Sequence, residues 1–176
     1  MKIVAFCGPS GVGKTTLIEG VIRALRGRGL RVSVIKHAHK RFDIDQPGKD
    51  SWRHREAGAF EVLIASGQRL AKLREFEVEA QPTLHALIAE LLACDWVLAE
   101  GFKHADVPKI DVWRAATGQA PIYPDDPFVV AVATDDCTGL PVATGRPVFD
   151  MAMPAALASF LVDTADRFDY DAAHHG

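Results

Sequence analysis

The stretch Gly8-Pro9-Ser10-Gly11-Val12-Gly13-Lys14-Thr15 decides how the rest of the chain is read. It matches G-x-x-x-x-G-K-[ST], the phosphate-binding P-loop, and it stands in the context that mechanism requires. The apolar run Ile3-Val4-Ala5-Phe6-Cys7 precedes it as a strand, and Leu17, Ile18, Val21, Ile22 and Leu25 follow at helical spacing. Glycine at 8, 11 and 13 lets consecutive backbone N–H groups turn inward around a phosphate. The helix beginning near Lys14 adds unpaired N-terminal donors and the positive end of its dipole. The candidate cradle therefore comprises Gly8, Pro9, Ser10, Gly11, Val12, Gly13, Lys14, Thr15 and the adjoining Thr16. In it Lys14 sets a positive charge against the β- and γ-phosphates, and the Thr15 hydroxyl ligates Mg²⁺.

The whole chain narrows the setting. Its 176 residues suit one domain, expected over residues 1–168, with length enough for a real core. A formal net charge of -3 provides no general attraction for nucleic acid. Cys7, Cys94 and Cys137 lie far apart without a C-x-x-C pair, which suggests free thiols in a reducing cytoplasm. There is no signal-peptide pattern and no apolar run near the ~18 residues of a membrane span. A cytoplasmic protein without membrane or nucleic-acid partners is expected.

After the first helix, residues 14–28, Gly27 and Gly29 supply a stop and residues 31–36 read as a second strand. A βαβ opening predicts an α/β fold of three layers: a P-loop NTPase with a mainly parallel sheet flanked by helices, its ligand at the C-terminal edge. Residues 37–48 form a charged loop, and Asp50 or Ser51 caps a short helix closed by Gly58. Residues 60–65 and 68–76 read as a hairpin turning at Ser66-Gly67. Pro82 opens a helix with the stripe Leu84, Leu87, Ile88, Leu91 and Leu92, and residues 96–99 make a buried strand. Residues 109–113 form a short extended piece, 128–133 a strand, 147–149 a last short strand and 154–167 a closing helix. The tail, 169–176, is expected to be disordered, with its histidines solvated.

Glu100 directly follows Trp96-Val97-Leu98-Ala99 and so sits at the ligand edge, the Walker B position where a carboxylate holds Mg²⁺ directly or through water. Among the acids in or after the charged loop, Asp43, Asp45 and Asp50, one is available to bind the metal's water shell or to orient an attacking water, although each also suits a turn or cap; Asp45 is the candidate catalytic residue beside Lys14 and Glu100. His37 and His39 form an H-x-H pair whose supplements as metal ligands are His54, Cys94 or His104, with anion contact the alternative. Lys36, Lys40, Arg41, Lys49, Arg53 and Arg55 flank the same loop and suit either a phosphate-bearing molecule, an acidic partner surface or plain solvation. The chain contains no asparagine, which rules out an N-K-x-D guanine motif. Ala133-Thr134-Asp135-Asp136 stands roughly where that motif would, so Asp135, or Asp136, is a candidate acceptor for guanine N1 and N2.

Taken in order, the P-loop, Val34-Ile35-Lys36-His37-Ala38-His39, Phe42-Asp43-Ile44-Asp45-Gln46-Pro47-Gly48-Lys49-Asp50-Ser51, Arg55-Glu56-Ala57-Gly58-Ala59 and Glu100-Gly101-Phe102-Lys103 resemble the MobB family of molybdopterin-guanine dinucleotide biosynthesis proteins. The resemblance runs from Lys2 to about Asp136 and includes Lys109-Ile110-Asp111-Val112. It implies a GTP-binding, weakly hydrolysing homodimer that assists the guanylyltransferase joining GMP to molybdopterin, with molybdopterin itself a further possible ligand. It also implies phosphate binding by residues 8–15 and the Walker B role for Glu100. The readings from residues alone leave two rivals: a small-molecule kinase, and a metallochaperone GTPase using His37, His39 and Cys94.

Overall fold

Strand β1 (Lys2–Cys7) pairs in parallel with two segments far along the chain, β5 (Trp96–Glu100) and β6 (Lys109–Val112), and these three make the centre of the sheet. Strands buried on both faces need apolar residues at nearly every position, which is what β1 and β5 supply. The computed structural model describes residues 1–38 and 42–172. Adding β2 (Val32–Lys36), β7 (Val129–Thr134) and β8 (Val148–Asp150) gives six strands in the order β2-β5-β1-β6-β7-β8, every pairing parallel.

The two-residue period of β1 divides the core. Val4 and Phe6 join Leu17, Val21 and Leu25 of α1 (Lys14–Arg26) and Leu157 and Leu161 of α4 (Pro154–Asp163). Ile3 and Ala5 join Leu84 and Ile88 of α3 (Leu84–Ala89) on the other face. Helices thus cover both faces, as the three-layer expectation requires. Gly20 lies in the middle of α1, where glycine is ordinarily unfavourable, because a Cβ there would strike the ring of Pro154.

The described chain clusters into two compact units, one of Met1–His37 with the chain from Thr83 onward, the other of Ala38–Pro82. The second contains α2 (Asp50–Glu56) and the antiparallel hairpin β3 (Glu61–Ala65) with β4 (Leu70–Arg74).

Several local expectations shift; Lys49, not Asp50 or Ser51, is the N-cap of α2. Thr83, not Pro82, starts α3, its hydroxyl accepting from Ala86 N–H at 3.1 Å; the helix ends at Ala89, which leaves Leu92 88% exposed instead of on the apolar stripe. The extended piece at 109–113 is an interior strand despite its charges. Lys109, 2% exposed, is neutralised by Asp126 at 2.7 Å and lies 5.1 Å from the Phe128 ring. Asp111, 1% exposed, accepts from the backbone N–H groups of Ile122 and Tyr123 at 2.8 and 2.9 Å. At the start of the stretch expected to be disordered, Asp169 bridges to Lys2 and the Tyr170 ring stacks on His85 at 5.7 Å. The tail histidines, His174 and His175, lie outside the described residues.

Candidate functional site

A parallel sheet delivers the ends of β1, β5, β6 and β7 to one edge, so the segments leaving them converge there. Gly8, Gly11 and Gly13 take φ values of 139°, 77° and 104°, a region other residues rarely adopt. A side chain at Gly8 would collide with the Val112 carbonyl at the end of β6, so the loop lies directly against that strand. Gly13 is the N-cap of α1 and supplies no side-chain acceptor, which leaves the first N–H groups of the helix for an external one.

Lys14 bends back over this loop. Its Nζ donates to the carbonyls of Gly8 and Pro9 at 2.8 and 2.7 Å, which uses two of the three ammonium protons and leaves one for a ligand. Desolvation holds its pKa below the usual lysine range, against the upward pull of Glu100. The Thr15 hydroxyl donates to Glu100 Oε1 at 2.9 Å, and Lys36 Nζ stands 3.4 Å from the same oxygen. Glu100 is only 12% exposed, its position fixed by pairing of β5 with both β1 and β2. The sequence-predicted residues Lys14, Thr15 and Glu100 are therefore brought together around one small space. Thr16, one residue on in α1, is exposed.

The other flank of the loop carries a residue that sequence reasoning passed over. Arg114 follows β6, and its guanidinium reaches across the final glycine of the cradle: Nη2 lies 3.5 Å from where a Cβ on Gly13 would stand. Its Nε faces Asp135 Oδ2 and Met151 Sδ, each at 3.4 Å. Asp135 leaves the end of β7 and is exposed, whereas Asp136 turns its Oδ1 inward to accept from Thr138 N–H, Thr138 O–H and Gly139 N–H. Those bonds hold the Asp136 carboxyl below its ordinary pKa, the Thr138 hydroxyl contributing most. The only signal for Arg114 in the sequence is its place just beyond a strand end.

Asp45 belongs to the second unit and is occupied there. Its carboxylate accepts from Ser51 Oγ at 2.9 Å and from Arg55 Nε at 3.3 Å, and its side chain is 5% exposed. Arg55 also reaches Asp43 at 2.9 Å and Glu75 at 3.2 Å. Asp43 is further held by the Asp45 N–H, which with Arg55 keeps its carboxyl below the usual range. Asp50 sits 3.9 Å from Arg53 in the first turn of α2. The loop acids and Arg55 thus form a network that fixes the unit's own backbone.

Lys40, Arg41 and His39 lie outside the described residues. His37 follows β2 at the ligand edge and packs on Phe102 at 5.2 Å, Phe102 itself holding φ 57°. Cys94 precedes β5, the parallel neighbour of β2, and so lies at the opposite edge, roughly a strand length of 15 Å away. His37 and Cys94 therefore do not share a metal. Among the described residues no three His, Cys, Asp or Glu converge as ligands, and no helix is long and apolar enough to cross a membrane.

Residues 3–135 match the family model described as molybdopterin guanine dinucleotide synthesis protein B, MobB. The chain is 40% identical over 166 residues to the molybdopterin-guanine dinucleotide biosynthesis adapter protein of Escherichia coli, covering 93% of each chain. It is 36% identical to the protein of that name from Haemophilus influenzae, covering 96% of this chain and 92% of the relative. A crystal structure of molybdopterin-guanine biosynthesis protein B superposes with a TM-score of 0.67 at 29% identity, over 92% of this chain and 98% of the other. MobB of Bacillus subtilis, at 22% identity, shares the fold with a TM-score of 0.72 over 97% of this chain and all of the other. On the sequence match, the relatives and the shared fold together, the chain belongs to the MobB family.

Proposed function

We propose that this protein binds GTP with Mg²⁺ in the cradle of residues 8–15 and serves as an adapter in the attachment of GMP to molybdopterin. The observation that carries the nucleotide half is the contact of Thr15 with Glu100 beside the doubly bonded Lys14. Mg²⁺ takes hard oxygen ligands and keeps several waters, so one hydroxyl and one carboxylate, direct or through water, fit it together with phosphate oxygens. Bound there, the ion supplies neutralisation of phosphate charge. Lys14 and the open N–H groups of α1 hold the phosphates, and Glu100 orients the Thr15 hydroxyl.

The adapter half rests on the names of the relatives, whose shared function is in molybdopterin-guanine dinucleotide biosynthesis. Hydrolysis is expected to be slow. Asp45, the candidate for orienting water, is committed to Ser51 and Arg55, so isolated protein lacks a complete set of positioned groups. The guanylyltransferase is the proposed partner. A homodimer accords with the second unit, where Phe60, Leu63, Ile64 and Leu70 are exposed on a two-stranded hairpin too small to be stable uncovered.

Phosphate release measured with and without the guanylyltransferase tests this reading. Slow release by the isolated protein, changed by the partner, is expected; fast release from the isolated protein overturns the adapter role.

A further inference from the structure

The cradle is flanked asymmetrically. On the β5 side, Thr15 and Glu100 mark the metal and the terminal phosphates. A nucleotide seated by that end must extend its sugar and base the other way, over Gly13 toward β6 and β7. Arg114 and Asp135 stand there, 3.4 Å apart, with side chains 38% and 49% exposed. An exposed ion pair of this kind contributes little to stability. Among the described residues the polar contacts of the Arg114 side chain all come from Nε, and Asp135 Oδ1 has no partner, so guanidinium N–H groups and one carboxylate oxygen face outward.

We propose that Arg114 and Asp135 together read the guanine ring, which rests on the nucleotide reading above. Guanine presents adjacent groups of opposite kind: acceptors O6 and N7, then donors N1–H and N2–H₂. A guanidinium beside a carboxylate is their complement, the first donating to O6 and N7, the second accepting from N1 and N2. Adenine reverses both, placing an amino donor where guanine has O6 and an acceptor at N1. Either adenine contact would leave a polar group unpaired. Asp135 is assigned over Asp136 because Asp136 spends its Oδ1 on three donors of its own turn, whereas Asp135 stands beside Arg114. Base selection is thus achieved without asparagine, which the chain lacks. Met151, whose Cε lies 2.9 Å from a Cβ placed on Gly13, lines the space beneath the guanidinium.

The test is titration of GTP, ATP and XTP, each with Mg²⁺, into the intact protein, Arg114→Ala and Asp135→Asn, with melting curves for each. Wild type should prefer GTP over ATP by about tenfold or more, the value of a good paired contact. Arg114→Ala should bring that preference within about threefold by weakening GTP binding more than ATP binding, with melting of the unliganded protein unchanged. Asp135→Asn should gain XTP binding, since the amide donates to the carbonyl that xanthine carries at position 2. Full GTP preference in Arg114→Ala, or no XTP gain in Asp135→Asn, overturns the assignment. Wild type that binds GTP and ATP equally overturns the base assignment alone; wild type that binds no triphosphate overturns the cradle as well.

Discussion

The Thr15 hydroxyl donates to Glu100 at 2.9 Å, joining the first turn of α1 to the end of β5 across 85 residues of sequence. The parallel pairing of β1 with β5 fixes both groups at one edge, where they are proposed to hold Mg²⁺. Glu100→Gln keeps an acceptor for Thr15 and removes the charge. Binding of a fluorescent GTP analogue to this variant should lose most of its Mg²⁺ dependence, with affinity in Mg²⁺ down about tenfold or more. A full Mg²⁺ response in the variant would remove Glu100 from the metal site.

Asp111 has one oxygen bound by two backbone N–H groups and the other, Oδ1, buried without a partner among the described residues. Burial raises its pKa, opposed by the N–H groups of Tyr123 and Ile122. A carboxyl whose folded pKa is raised is penalised in its ionised form. Its contribution to stability is greatest below the unfolded pKa and declines as pH rises through the folded one. Asp111→Asn, neutral and still able to accept both bonds, should match or exceed wild type in urea unfolding at pH 7. Asp111→Ala strands both N–H groups and should cost about 2–4 kcal/mol.

Cys7 is buried at the end of β1, its Sγ donating to the Gly101 carbonyl, and burial pushes its pKa up to about 12. Native protein treated with iodoacetamide should therefore label exposed Cys137 first and Cys7 only after unfolding. Because the folded thiol holds its proton above the ordinary thiol value of 9.0, its contribution to stability should fall as pH rises from about 9 to about 12. Cys7→Ala should flatten that alkaline decline.

Gly20→Ala should destabilise the protein by about 1–3 kcal/mol despite alanine's better helix propensity, since its methyl meets the rigid Pro154 ring where α1 crosses α4. Thermal unfolding checks the sign. A gain in stability would show that the two helices can separate at no cost.

The sequence revealed these parts unevenly, for physical reasons. The cradle and Glu100 are legible because each is a local signal: a motif between a strand and a helix, and an acid ending an apolar run. β6 is hard to read because Lys109 and Asp111 break its apolar pattern, and what lets charges stand inside a sheet is the distant loop carrying Ile122, Tyr123 and Asp126. Arg114 is hidden for the same reason, its meaning arising only when β6, β7 and the P-loop lie side by side. Leu92 misleads in the other direction, since helical spacing continues beyond the point where α3 stops.

Residues 8–15 are proposed to hold a triphosphate through Lys14. Calorimetric titration of GTP with Mg²⁺ into wild type and Lys14→Ala measures it directly, because Lys14 faces the loop carbonyls and not the core. Wild type should bind, and Lys14→Ala should bind at least about tenfold more weakly with its melting temperature little changed. Equal affinity in the two proteins would contradict the account.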